Sequence, residues 1–230
     1  KWVSVEAAHP LTAMRETVTA IRSLLRGERT PMQGEFLRWG NEAYLRFDAP
    51  RVTPIYIGAM GPKMLALAGE VADGALPLLF PPEHYFSVLP HLQSGLARRA
   101  ATLGELDLAA CIWVSLAEDE SAARRVLAEK IAYYGHALGP LILAQLGLTQ
   151  ADFRPVEHAM MVERNAAHAA SLVDDRMLRI GVVGSAADVM ARLAPLTAAG
   201  ARHLSFGPPL GPDRLAAVRL LGEVIQRLRQ

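Results

Sequence analysis

Pro54-Ile-Tyr-Ile-Gly-Ala-Met-Gly-Pro-Lys-Met-Leu65 decides how this chain is read. A β-rich run over 53–58 ends in a turn of small residues, and Pro62 opens an Ala/Leu-rich stretch that stops at Asp73-Gly74. A strand, a tight turn and a helix in immediate succession are the first half of a βαβ unit. Gly58 and Gly61 sit where the strand ends. Pro62 suits the first helical position, where its missing N–H has no partner to lose. The helix start presents unpaired donors and the positive end of its dipole, and Lys63 adds a full charge there. This is a seat for a phosphate or carboxylate; the same residues also make a tight turn that merely packs. The spacing is neither a dinucleotide fingerprint nor a Walker loop.

Outward from this stretch the same alternation continues. Upstream, Pro10 and Thr12 start a helix with Met14, Val18, Ile21, Leu24 and Leu25 on one face, and Gly27 ends it. Between them, Phe36-Leu-Arg-Trp39 and Tyr44-Leu-Arg-Phe47 flank Gly40-Asn41, which predicts a small hairpin turning there or an extended excursion. Downstream come an apolar run over 75–80, Pro81-Pro82 and a helix to about Arg99. The third strand is Ala109-Ala-Cys-Ile-Trp-Val-Ser-Leu116. Near-continuous apolar character of this kind marks strands buried on both faces of a parallel sheet. A helical region without an evident strand follows, roughly 119–174. Ser185-Ala-Ala-Asp188 is a capping-box start for the next helix, His203-Leu-Ser-Phe206 is the fourth strand, and a final helix carries Leu215, Val218, Leu221 and Ile225. Right-handed crossovers and a parallel sheet follow, as a small doubly wound sheet or as part of a (β/α)8 barrel. The chain is read as one domain over 1–230, with a helical insertion at 117–175 after its third strand.

Composition narrows the functional classes. Among 230 residues, 24 Lys+Arg stand against 23 Asp+Glu, so the net charge of +1 lacks the basic excess of a phosphate-tracking nucleic-acid binder. Hydrophobic residues make up 51%, enough for a large core and too many for a disordered chain. The one cysteine, Cys111, excludes a disulfide framework and fits a reducing cytoplasm. The stretch 131–151 carries no formal charge and is about long enough to span a bilayer, but Gly139-Pro140 would break it midway. A buried helix-turn-helix is expected there. The chain opens Lys-Trp rather than Met, as a processed, tagged or incomplete product would.

Other candidates resolve toward structure. The seven histidines show no metal-ligand spacing, so no protein-built metal site is expected. His84 is read as a surface loop residue, His203 as structural and Cys111 as an inert core thiol. Glu70 and Asp73 present paired carboxylates, with an ordinary turn as the favoured reading. Glu118-Asp-Glu120 ahead of Arg124 and Arg125 reads as a solvated helix face. Gly207-Pro-Pro-Leu-Gly-Pro-Asp213 is read as a rigid loop, its prolines removing donors an anion cradle would use.

Ile57-Gly-Ala-Met-Gly-Pro-Lys-Met-Leu-Ala-Leu-Ala-Gly-Glu-Val-Ala-Asp-Gly74 resembles the signature after the fifth strand of the luciferase-like flavin and deazaflavin oxidoreductases. Pro10-Leu-Thr-Ala-Met-Arg-Glu16 through Leu25-Arg-Gly-Glu28, and Phe206-Gly-Pro-Pro-Leu-Gly-Pro-Asp213, agree in order. Together they look most like the branch containing F420-dependent methylenetetrahydromethanopterin reductase. The resemblance implies the C-terminal part of a (β/α)8 barrel, with Lys1 falling after the fourth strand. It also implies a cofactor tail held by Gly58, Ala59, Met60, Gly61 and Lys63. Met60 stands where relatives often carry a polar residue. The implied function is hydride transfer between coenzyme F420 and a small organic substrate. The alternatives are an FMN-dependent monooxygenase and a non-catalytic barrel fragment that keeps an anion seat. A homodimer or larger assembly is implied. No catalytic residue is assigned, because in the family those lie mainly on the earlier strands.

Overall fold

The computed structural model describes residues 8–49, 52–78 and 81–228. They fall into two compact units, Lys1–Pro77 with Val88–Leu108, and Leu78–Ser87 with Ala109–Gln230.

In the first unit, α1 (Pro10–Leu25) begins on its proline and ends through Arg26, with Gly27 left-handed at φ 72°. Its buried residues are Val18 and Ala20, whereas Ile21, expected on that face, is 40% exposed. The hairpin is present but shifted. It pairs β1 (Met32–Gln33) with β2 (Arg38–Trp39) in antiparallel register, so the turn lies at 34–37 and not at Gly40-Asn41. The cause is Glu16 on α1. Its carboxylate accepts from the amides of Glu35, Phe36 and Leu37 at 2.7, 2.9 and 3.0 Å, and a Cβ on Gly34 would lie 2.3 Å from it.

That carboxylate supplies a pH test. Desolvation works to raise its pKa, but the three backbone donors outweigh it and hold the group below the usual glutamate range. A carboxylate whose folded pKa is depressed contributes stability above its unfolded pKa and loses it as pH falls through the folded value. The amide resonances of Glu35, Phe36 and Leu37 are therefore expected to move together in one acid step that lies below the usual glutamate range. In Glu16→Gln that common step is absent; three independent titrations in the parent would contradict this role for Glu16.

β3 (Tyr56–Gly58) leads through the quoted turn into α2 (Pro62–Val71), and β4 (Gly74–Leu76) returns parallel to β3. The pairing puts Tyr56 opposite Gly74, where the tyrosine ring fills the place a Cβ would take, 2.2 Å from its nearest carbon. Glu70 and Asp73 are committed to packing. Glu70 accepts from Arg15 at 2.7 Å and Arg98 at 3.2 Å; Asp73 accepts from Arg22 at 3.1 Å and from the Ile55 amide at 2.8 Å. The favoured turn reading holds, and the two carboxylates do not form an acid/base pair. The Arg99 guanidinium donates to the carbonyls of Gly69, Ala72, Leu103 and Gly104, which closes the end of α2. α3 (His84–Leu96) lies against α2 with glycines at the contact. β5 (Asp107–Leu116) then pairs its first two residues with Gly74 and Ala75.

The second unit takes up the rest of β5. Helices α4 (Glu120–Tyr134), α5 (Pro140–Ala144), α6 (Arg154–Met161), α7 (Ala166–Ser171) and α8 (Asp175–Leu178) follow it. Asp119 caps α4 by accepting from Ser121 and Ala122. In the uncharged stretch α4 ends at Tyr134, a 3-10 turn covers Gly135–Ala137, and α5 starts on Pro140 after its N-cap Gly139. No helix among the described residues is long and apolar enough to cross a membrane. Leu127, Ile131, Leu143, Phe153, Val156 and Ile180 build this unit's core with Trp113 of β5.

β6 (Val182–Gly184) corrects the sequence reading, which ran from helix to helix here. It pairs parallel with residues 114–116 of β5. Three residues, the last of them a glycine, are too few for periodicity to register. α9 (Ala186–Ala198) opens on the expected capping box. β7 (His203–Leu210) is longer than expected and absorbs Gly207-Pro-Pro-Leu, read from sequence as a loop. It pairs parallel with β5, and a register shift between Trp113 and Ser115 accommodates the prolines, which have no N–H to donate. In α10 (Arg214–Leu228) the buried stripe is Ala217, Leu221 and Val224; Leu215, Val218 and Ile225, expected to join Leu221, are exposed.

His84 is a further correction. It is 8% exposed, at the start of α3, with Nδ1 2.9 Å from Gln145 Nε2. Cys111 is half-buried, and burial pushes its thiol pKa up, consistent with an inert residue. Positions 79 and 80 of the second apolar run lie outside the described residues.

Candidate anion-binding site

The site begins where β3 runs out. Ile57 is buried beneath it, and the Ala59 amide donates to Leu76 of β4 at 3.4 Å, so the strand pairing carries the turn to the carboxyl end of β3. Ala59 is itself buried, with its donor already used; its contribution is small size. From Met60 the backbone turns outward. Met60, Gly61, Pro62 and Lys63 are all exposed.

Gly61 is the N-cap of α2, extended at φ −90° and ψ 152°, with no side chain to cap the helix. The first intrahelical bond runs from the Leu65 amide to the Gly61 carbonyl at 3.0 Å. The amides of Gly61, Lys63 and Met64 therefore have no acceptor within the helix, and Pro62 has no amide to leave unpaired. Nothing in the backbone conformation or the packing requires glycine at 61, because a Cβ there would meet no atom within 4 Å. At Gly58 it would meet only the Leu76 carbonyl, at 4.0 Å. The cradle has room for a group larger than a methyl.

Lys63 makes no ion pair or side-chain hydrogen bond among the described residues, so its charge is uncommitted beside free amides. Substituting it gives a direct electrostatic test. Lys63→Ala is expected to weaken binding of a phosphate-bearing ligand and to flatten the salt dependence of its dissociation constant. An unchanged salt slope would make Lys63 a surface residue only.

The sequence-derived residues thus come together as one open turn in the first unit. Two polar arrangements were not legible in advance. Tyr56 donates to Asp107 at 2.5 Å at the amino end of the first unit's strands, which raises the phenol's pKa chiefly through that hydrogen bond. In the second unit Arg192 clasps Glu83 through two bonds of 2.6 and 2.8 Å. Desolvation of Glu83 is outweighed by that clasp, and its pKa falls.

Parallel strands alternating with helices define an α/β protein of the barrel-forming class. The luciferase-like monooxygenase family model matches residues 1–203, and the chain belongs to that family. It is 32% identical over 225 residues to 5,10-methylenetetrahydromethanopterin reductase of Archaeoglobus fulgidus, covering 96% of this chain and 67% of that protein. It is 30% identical to the F420-dependent glucose-6-phosphate dehydrogenase of Microbacterium testaceum, covering 98% and 63%. Among solved structures, the coenzyme F420-dependent tetrahydromethanopterin reductase from Methanopyrus kandleri superposes with a TM-score of 0.86 at 27% identity, over 95% of this chain and 64% of that one. An F420-dependent secondary alcohol dehydrogenase shares the fold at a TM-score of 0.71 and 20% identity. The chain spans about two thirds of the length of these relatives. The expected fold class is found, an α/β fold with parallel strands that matches a luciferase-like reductase over 64% of that protein's length.

Proposed function

We propose that this chain is part of an F420-dependent oxidoreductase that moves a hydride between the coenzyme and a small organic substrate of the methylenetetrahydromethanopterin type. The turn at 58–63 takes the coenzyme's phosphate-bearing tail. The observation that carries the reading is the uncapped, open start of α2 beside Lys63, which makes no ion pair among the described residues, on a chain whose relatives include proteins named for F420. The residues fit the group: free amides, one cation and space where a side chain would stand.

When bound, F420 supplies the hydride chemistry. The chain's share is to place it. Donors at Gly61, Lys63 and Met64 fix the tail, the Lys63 ammonium neutralises it, and the β3–β4 pairing fixes the turn. The reading also places the helices of 117–175 as an insertion within one domain. Lone, half-buried Cys111 supports a cytoplasmic setting, and the family supports a homodimer or larger.

The test is a fluorescence titration of the purified chain with F420 and, separately, FMN. Saturable F420 binding with much weaker FMN binding is expected. Preference for FMN would favour the monooxygenase reading, and binding of neither would favour a non-catalytic fragment.

A further inference from the structure

The carboxyl end of α4 carries two consecutive tyrosines that the helix's packing does not explain. The face α4 buries is Ala123, Leu127, Ala128, Ile131 and Ala132. Tyr133 and Tyr134 are 53% and 43% exposed. They are nonetheless ordered against one another, edge to face with centroids 4.6 Å apart. Tyr134 is also 5.8 Å from Trp113, tilted by 56°. Trp113 is buried on β5 within the core of this unit, so the cluster is anchored at one end and wet at the other.

Lys130, one turn back, completes it. Its Nζ stands 4.3 Å over the Tyr134 ring and 5.2 Å from the centroid of Trp113. It makes no ion pair among the described residues, unlike Arg124 on the same helix, which pairs with Glu120 and Asp175. The 21 residues after it, 131–151, hold no formal charge of either sign. A half-buried ammonium held by two rings and no carboxylate is an attractive partner for an incoming anion.

We propose that Tyr133, Tyr134 and Lys130 form a platform that receives a flat heteroaromatic ligand bearing an acidic group. The rings supply stacking surface and the ammonium a charge for the acid. Each tyrosine has only two side-chain torsions, and mutual packing already sets them, so little rotamer freedom is lost when a ligand stacks. The assignment of this ligand as the enzyme's substrate rests on the oxidoreductase reading above; the platform itself does not.

Pterin-6-carboxylate, two fused rings with one carboxylate, is a suitable probe, followed through its own fluorescence anisotropy. The parent chain is expected to bind it saturably. Tyr134→Ala should weaken binding on the order of tenfold and Tyr134→Phe should retain it. Tyr133→Ser, at the more exposed ring, should weaken it without unfolding the chain. Lys130→Met should weaken it and remove most of its salt dependence. F420 affinity, measured on the same variants, should match the parent's. No saturable binding by the parent, or parent-like affinity in both Tyr134→Ala and Tyr133→Ser, would overturn the platform. Pterin binding that follows this pattern in a chain that fails to bind F420 would leave the platform standing and remove the F420 reading.

Discussion

A chain carrying Gly61→Val is expected to fold like its parent and to bind F420 at least tenfold more weakly, a loss of ~1.4 kcal/mol or more. The two halves of this expectation rest on different facts. Position 61 is extended and a Cβ there meets nothing within 4 Å, so a β-branched residue is accommodated in the free protein. Losing a glycine N-cap costs at most about 1 kcal/mol of stability. A tail seated on the amides of Gly61, Lys63 and Met64, however, must approach the backbone where the valine methyls would stand. Thermal unfolding and an F420 titration on the same preparation separate the two effects. Unchanged affinity would mean that no ligand comes close at this turn.

The second large effect is expected where α2 meets α3, in the element that holds the seat in place. Gly95→Leu should destabilise the chain by about 3 kcal/mol, near the upper end for overpacked contacts. A Cβ at Gly95 would lie 1.9 Å from the Ala66 carbonyl oxygen and 3.0 Å from the Glu70 amide nitrogen. On the facing side, a Cβ at Gly69 would lie 2.5 Å from the Leu92 carbonyl oxygen. These are backbone atoms, which cannot rotate aside, so the two helices must separate and carry the start of α2 with them. Gly222→Ala on α10 is the control. A Cβ there meets nothing within 4 Å, and a helical glycine replaced by alanine should gain about 0.5–1 kcal/mol. Denaturant midpoints decide both. A Gly95→Leu midpoint equal to the parent's would mean the helices are not in the contact described.

What was legible in the sequence was what short-range chemistry decides. The β3 turn was readable because Gly58, Gly61, Pro62 and Lys63 fall within six residues and each acts on its own backbone. The α9 capping box was readable for the same reason. What escaped depends on partners far along the chain. The hairpin turns at 34–37 because Glu16, 19 to 21 residues earlier, binds those amides, which outweighed the local turn signal of Gly40-Asn41. His84 is buried because Gln145, 61 residues on, is there to meet it. Glu83 and Arg192 are 109 positions apart. β6 is invisible to periodicity at three residues and exists because β5 offers it an edge.

The residue types around the turn point to an anion seat, and the fold adds its openness: an exposed rim, first-turn amides with no acceptor within the helix, and a Lys63 without an ion pair among the described residues. The most direct measurement compares F420 with the same deazaflavin trimmed of its phosphate tail, titrated against parent and Gly61→Val chains. The parent should prefer the intact coenzyme by tenfold or more, and the variant should lose that preference while binding the trimmed form as the parent does. Equal affinity of the parent for both compounds would show that the tail is held elsewhere or not at all.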